Sequence, residues 1–358
     1  MRPDPDAFAK LICDWCVEAR EGDHVVVATT VPSLPLAQAL HGAILERGAW
    51  PLMRFAADVF AESFYANAGD EQLDGFAPLE LSETQGADAF IGISAPTNTR
   101  ALAAVDPARI TRMARARAPL QEARLESRWC GTLWPTAAAA QEAGMSEANY
   151  AEFVTGALFL DRPDPAIAWR ELSESQQQLV DRLVPAREIR IEAADTDLRL
   201  RVDGRTWVNS DGKHNMPSGE VFTGPLEDSA NGTIRFTVPS NTRGGGKVAD
   251  VQLTFEQGRV VQARAQQGDD HLQAALETDR GARFLGELGI GTNVGIDRAT
   301  GSTLLDEKMA GTVHLALGRS YPQTGGTNAS ALHWDLICDL RDGGTLSVDG
   351  ETLSLTGR

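Results

Sequence analysis

The hydrophobic period of this 358-residue chain changes near Pro185, and the two sides of that change demand different folds. Upstream, short apolar runs alternate with helix-like segments. His24-Val25-Val26-Val27-Ala28 and Ala89-Phe90-Ile91-Gly92-Ile93 are continuous runs, the pattern of strands buried on both faces of a parallel sheet. Trp50 to Ala56 and Arg128 to Leu133 read as further strands. Pro5 and Asp6 open a helix with Phe8, Leu11, Ile12 and Trp15 on one face, and Leu36 to Glu46 forms another that stops at Gly48. Residues 137–185 read as helices, broken at Asp161 to Pro165. Downstream the period is two: Ile189, Ile191, Leu198, Leu200 and Val202, then Val251, Leu253 and Phe255. Asp203-Gly204, Gln257-Gly258 and Asp349-Gly350 carry hairpin-turn chemistry, and one helix is expected around Asp270 to Leu276. The expected architecture is α/β plus α+β. An N-terminal open α/β domain with a largely parallel sheet occupies 1–185, and a C-terminal β-rich mixed domain occupies 186–358.

Several functions are disfavoured. No GxGxxG follows any predicted strand, so a dinucleotide site is unsupported. Arg243-Gly244-Gly245-Gly246-Lys247 precedes Val248 rather than Ser or Thr and reads as a turn, not a phosphate loop. A net charge of −17 without a clustered basic footprint argues against nucleic acid. The Arg-rich stretch from Arg109 to Arg124 fits a solvated helix. No apolar run approaches a membrane span, and the acidic start MRPDPDAFAK lacks leader character, so a cytoplasmic protein is expected. Cys13 and Cys16 form a CxxC, but they sit at helical spacing in FAKLICDWCVEA and read as buried thiols. His24 and His41 read as structural or surface residues.

The chemistry concentrates between Leu285 and Leu340, with one addition upstream. His333 and Asp335 are two apart, so on a strand both point to one face, where imidazole and carboxylate suit Zn, Co, Mn or Fe. In TVHLALG, His314 faces the side opposite Val313, Leu315 and Leu317, and shares its face with Ala316 and Gly318, which leave room for an ion and a substrate. Glu287 in LGELGIG and Glu220 in MPSGEVFTGP are carboxylates beside apolar chain, costly without a partner. Tyr321 lies between the two histidines in sequence. Each residue also has an ordinary reading: a strand histidine is commonly a satisfied core residue, and a buried glutamate commonly pairs with arginine.

The stretches NMPSGEVFTGP (215–225), FEQGRVV (255–261), LGELGIGTN (285–293), LLDEKMAGTVHLALGRSYP (304–322) and ALHWDL (331–336) resemble the aminopeptidase T family of metalloaminopeptidases. The N-terminal half resembles it in layout only. The resemblance implies two divalent ions (Zn, Co, Mn or Mg) held by Glu220, Glu287, His314, His333 and Asp335, with Tyr321 as the catalytic tyrosine and no ligand position substituted. It implies hydrolysis of N-terminal residues from short peptides or aminoacyl amides. In such sites two ions about 3.5–4 Å apart polarise the carbonyl and share a bridging hydroxide. Glu287 would shuttle the proton and Tyr321 would donate to the oxyanion. A homodimer with an enclosed active-site cavity is also implied. Lys308 and Arg319 either assist the site or form structural ion pairs. The chain is shorter than some members between His314 and His333 and toward the N-terminus, which points to different specificity loops.

Three alternatives remain. The same fold includes 2,5-dihydroxypyridine dioxygenase, which binds one iron through two His and one Asp. His333 and Asp335 fit that pattern, but its remaining histidine falls at Glu287, and Glu220 and His314 would be superfluous. A hydrolase of a specialised amide is the second. A binding module that has lost catalysis is the third, and the intact ligand set argues against it.

Overall fold

The computed structural model describes residues 2–241 and 246–355. The chain forms two compact units. One comprises Met1–Trp169 with Gly212–Pro217, and the other Arg170–Asp211 with Ser218–Arg358. The helix Pro165–Leu183 runs from one into the other, and Pro185 follows its end.

The first unit is built on a five-stranded parallel sheet. Its order is Trp50–Ala56, His24–Thr30, Ala89–Ser94, Arg128–Leu133 and Asn215–Met216. Val25, Val26 and Val27 are buried in it, as a two-sided strand requires. Trp50–Ala56 is an edge strand, and Trp50, Leu52 and Phe55 are exposed there. The first helix, Pro5–Leu11, starts at Asp4, whose carboxylate accepts from the Asp6 and Ala7 amides. It continues as a π-helical turn, Ile12–Cys16, that buries both thiols of the CxxC. Burial pushes the Cys13 thiol up to about 11, so it is inert rather than a redox nucleophile. The Arg-rich stretch forms Pro107–Ala116 and Ala118–Glu126, where Arg112 pairs with Asp70 and Asp74 and Arg117 with Glu80. His24 hydrogen-bonds Asp88 at the surface.

The second unit is antiparallel and has two sheets. The larger contains the hairpins Lys247–Glu256 with Arg259–Gln267, turning at Gln257-Gly258, and Thr345–Val348 with Glu351–Leu353, turning at Asp349-Gly350. Asp203-Gly204 does not close a hairpin. Glu188–Ala193 and Thr196–Arg201 turn earlier, at Ala194-Asp195, where Asp195 takes a left-handed φ of 56°. The chain after Gly204 leaves for the other sheet, because Val208–Ser210 pairs with Glu220–Thr223. The helix expected near 270 spans Asp269–Leu276. The Arg243 to Gly245 part of the expected turn lies outside the described residues. No helix of the described residues is long and apolar enough to cross a membrane.

The smaller sheet carries the candidate site. Its order is His333–Asp339, Thr312–Gly318, Leu285–Gly291, Glu220–Thr223 and Val208–Ser210. One face packs into the core through Leu285, Leu288, Ile290, Val313, Leu315, Leu317, Leu336 and Cys338. Full burial of each such aliphatic side chain contributes about 1.5–3 kcal/mol before entropy is subtracted, which fixes the register and therefore which residues emerge on the opposite face.

Candidate metal centre

The register places small residues between the functional ones. Ala316 pairs with Glu287 on one side and Asp335 on the other. His314 pairs with Gly289, Gly318 with His333, and Gly291 with Glu220. Simple alternation would put Leu285 and Glu287 on one face. A bulge at Gly286 prevents this: Leu285 pairs with Leu317 and Glu287 with Ala316, so Leu285 enters the core while Glu287 turns into the site. A side chain at 286 would collide with the Arg319 backbone, its Cβ only 2.5 Å from that carbonyl carbon. Gly289 is equally constrained, since a Cβ there would lie 2.8 Å from His314 Nδ1 and closer still to Cε1 and Nε2.

Five side chains converge on this face. His314 Nε2 lies 3.3 Å from Glu287 Oε1 and 3.5 Å from Glu220 Oε2. His333 Nε2 lies 3.7 Å from both Glu287 Oε2 and Asp335 Oδ2. They form two groups, Glu220–Glu287–His314 and Glu287–His333–Asp335, each with donor atoms within 4.8 Å of one another, and Glu287 belongs to both. The histidines are oriented from behind. His314 Nδ1 donates to the Glu307 carbonyl at 3.0 Å, and His333 Nδ1 donates to the Arg319 carbonyl at 2.8 Å. Each bond leaves Nε2 aimed into the site, as metal-binding imidazoles require.

The electrostatics of the site favour cations. Glu220 Oε2 and Glu287 Oε2 are buried without a hydrogen-bond partner. Burial, together with Glu307 and Asp335, raises the Glu220 carboxyl. Burial and the neighbouring carboxylates push Asp335 up to about 6. Burial alone would lower His314, but its bond to Glu287 and the charges of Glu220, Glu287 and Asp335 push it up to about 10. Burial likewise opposes, and Asp335 and Glu287 outweigh it, in raising His333. The clustered carboxylates thus favour positive charge between them, and His314 keeps its proton at neutral pH. Three carboxylates and two imidazoles, with orphaned buried oxygens and Nε2 atoms turned inward, fit divalent ions of the Zn, Co or Mn type.

Tyr321 stands at the rim, its ring 5.1 Å from that of His333 and 5.8 Å from that of Phe222. Shielding from solvent and the nearby carboxylates raise its phenol, so it stays a proton donor at neutral pH. Its loop is pinned by two outer carboxylates. Glu227 accepts from the Thr327 amide and hydroxyl, and Asp279 accepts from the Ala331 amide and Ser330 hydroxyl. Arg319 is exposed and supplies its carbonyl to His333. Lys308 is fully buried and pairs with Glu220 and Glu307. Burial would lower that ammonium, but the two carboxylates hold it well above its ordinary value. Glu307 was not singled out from the sequence. The available signal was the run of three charges, Asp306-Glu307-Lys308, between the apolar residues of LLDEKMAG. Gln176 was also missed; buried, it donates to the backbone carbonyl of Glu220.

Comparison with known proteins identifies the family. The chain is 31% identical over 395 residues to aminopeptidase 2 of Geobacillus stearothermophilus, covering 97% of this chain and 94% of that one. It is 31% identical over 178 residues to aminopeptidase T of Thermus thermophilus, covering 46% and 43%. Its fold matches the solved structure of AmpT from Thermus thermophilus with a TM-score of 0.86, at 22% identity over 99% and 98% of the two chains. It matches that of 2,5-dihydroxypyridine dioxygenase from Pseudomonas putida with a TM-score of 0.58, at 14% identity over 99% and 95%. At these identities the two structural matches speak for the fold alone. The model of the thermophilic metalloprotease family (M29) matches residues 3–354, and the chain belongs to that family.

Proposed function

We propose that this chain is an aminopeptidase that removes N-terminal residues from short peptides, with two divalent ions held by Glu220, Glu287, His314, His333 and Asp335. The observation that carries this is the position of Glu287 in both donor groups, one oxygen toward each histidine. A shared carboxylate between two His-containing groups suits a pair of ions. A single iron on His333 and Asp335 would leave Glu220 and His314 facing each other with no task. The second unit, Arg170–Asp211 with Ser218–Arg358, would thus serve as the catalytic domain.

Ions bound there would supply Lewis acidity toward the scissile carbonyl and activate water near neutral pH. The chain's own residues do the rest. Glu287 accepts the proton of the attacking water and passes it to the leaving amine. The Tyr321 hydroxyl donates to the carbonyl oxygen as negative charge develops on it. We further propose a homodimer, supported by the exposed Trp50, Phe55, Val59 and Phe60 along the edge strand and the helix after it. Light scattering tests this against the 38.4 kDa of one chain.

The deciding experiment is elemental analysis of protein loaded with Zn, Co, Mn or Fe(II), followed by hydrolysis of aminoacyl-4-nitroanilides. Two ions per chain with release of nitroaniline support the aminopeptidase. One Fe(II) per chain, with oxygen uptake on a dihydroxypyridine, would replace it with the dioxygenase.

A further inference from the structure

Lys308 is fully buried, and its ammonium reaches the site from behind Glu220. A buried ammonium is costly unless paired. Here one partner is Glu307 and the other is Glu220, whose Oε1 lies 3.4 Å away. The geometry is held firmly. Asp306 accepts from the Thr300 amide and hydroxyl and the Gly301 amide, fixing the turn before Glu307 and Lys308. Asn293 donates its backbone amide to the Lys308 carbonyl and its side-chain amide to the Ser218 carbonyl, tying the Lys308 segment to the one that leads into Glu220. Glu220 is therefore divided. Oε1 faces Lys308, while Oε2 lies 3.5 Å from His314 Nε2 with no hydrogen-bond partner. Among the described residues, neither Glu287 nor Asp335 forms an ion pair with a lysine or arginine.

We propose that Lys308 is a positioning residue that restricts Glu220 to one free oxygen and offsets part of its charge, so that an ion at Glu220, Glu287 and His314 is held more loosely and remains a stronger Lewis acid. The inference rests on the two-ion reading above. Donor charge already drawn to an ammonium is unavailable to an ion, and like charge beside an ion weakens its binding. The group Glu287–His333–Asp335 has no direct ion pair to a lysine or arginine among the described residues, so the two positions differ in affinity, with the Glu220 position the weaker.

Cobalt(II) retention against a chelating indicator tests this in wild type, Lys308→Met, Glu307→Gln and Glu220→Gln, with turnover measured alongside. Lys308→Met should hold the more labile ion about tenfold more tightly or better, while kcat falls and KM changes little. A merely structural lysine would give looser retention together with lower stability. Glu307→Gln leaves the ammonium to Glu220 alone and should loosen the same ion about tenfold. This second variant decides the matter if Lys308→Met does not fold. Unchanged or looser retention in folded Lys308→Met, or unchanged or tighter retention in Glu307→Gln, overturns the proposal while a two-ion wild type keeps the function reading intact. A wild type that binds only one ion, with Glu220→Gln indistinguishable from it, overturns both.

Discussion

Gly289→Ala is a one-carbon test of the site. The new Cβ would lie 2.8 Å from His314 Nδ1 and nearer to two other ring atoms, whereas carbon contacts relax only at about 3.5–4.0 Å. The imidazole must retreat by more than about 1 Å. It cannot do so freely, because His314 is 1% exposed and its Nδ1 is bonded to the Glu307 carbonyl. Overpacking of this kind costs about 1–3 kcal/mol of stability. Misplacement of a reacting group by about 1 Å costs roughly 10²-fold in rate. The expected result is a folded protein with a slightly lower Tm, less than the wild-type ion content by elemental analysis, and kcat on an aminoacyl-4-nitroanilide reduced about 100-fold. Gly42→Ala is the control, since its Cβ meets nothing within 4 Å and should be neutral or slightly stabilising. Wild-type ion content and kcat in Gly289→Ala would refute the claim that this glycine makes room for a functional imidazole.

Three further outcomes are expected. Glu287→Gln should abolish turnover while circular dichroism stays native; near-normal activity would remove Glu287 from the mechanism. Tyr321→Phe should lower kcat by about 10²–10³, the scale of one lost oxyanion donor, and an unchanged rate would exclude that role. In metal-free protein, His314 is pushed up to about 10 and keeps its proton at neutral pH, so an ion must displace it, whereas Asp335, pushed up to about 6, holds a proton only below that pH. Ion affinity should therefore rise with pH toward 10, by about tenfold per unit for each proton displaced. Calorimetry at pH 7.5 in buffers of different ionisation enthalpy should show at least one proton released per chain, and none released would contradict the assigned charge states.

Much of the fold could be read from residue order because side-chain period reports burial. The continuous run at Val25 to Val27 predicted a two-sided strand, and the i, i+2 spacing of His333 and Asp335 predicted their common face. The aim of Glu287 was not legible. Its direction depends on the extra residue at Gly286, which alternation does not register and which becomes visible only through the partner positions Leu317 and Ala316. Glu307 escaped notice because its neighbours place it on a short helix end, and only the buried Lys308 makes it part of the site. Asp203-Gly204 misled for a related reason: turn chemistry states that the chain bends, not which sheet it joins next.

The column Glu287–Ala316–Asp335 has a consequence for how such a protein can change. Neighbouring strands lie about 4.8 Å apart, so the backbones bearing the two carboxylates stand about 9.6 Å from each other, a distance set by the hydrogen-bond ladder of the sheet. The sheet acts as a ruler. The loop from Tyr321 to Leu332 can lengthen, shorten or exchange side chains without altering that measure, because Glu287, Ala316 and Asp335 all lie within strands. Changes in the length of that loop are thereby uncoupled from the spacing of the two carboxylates.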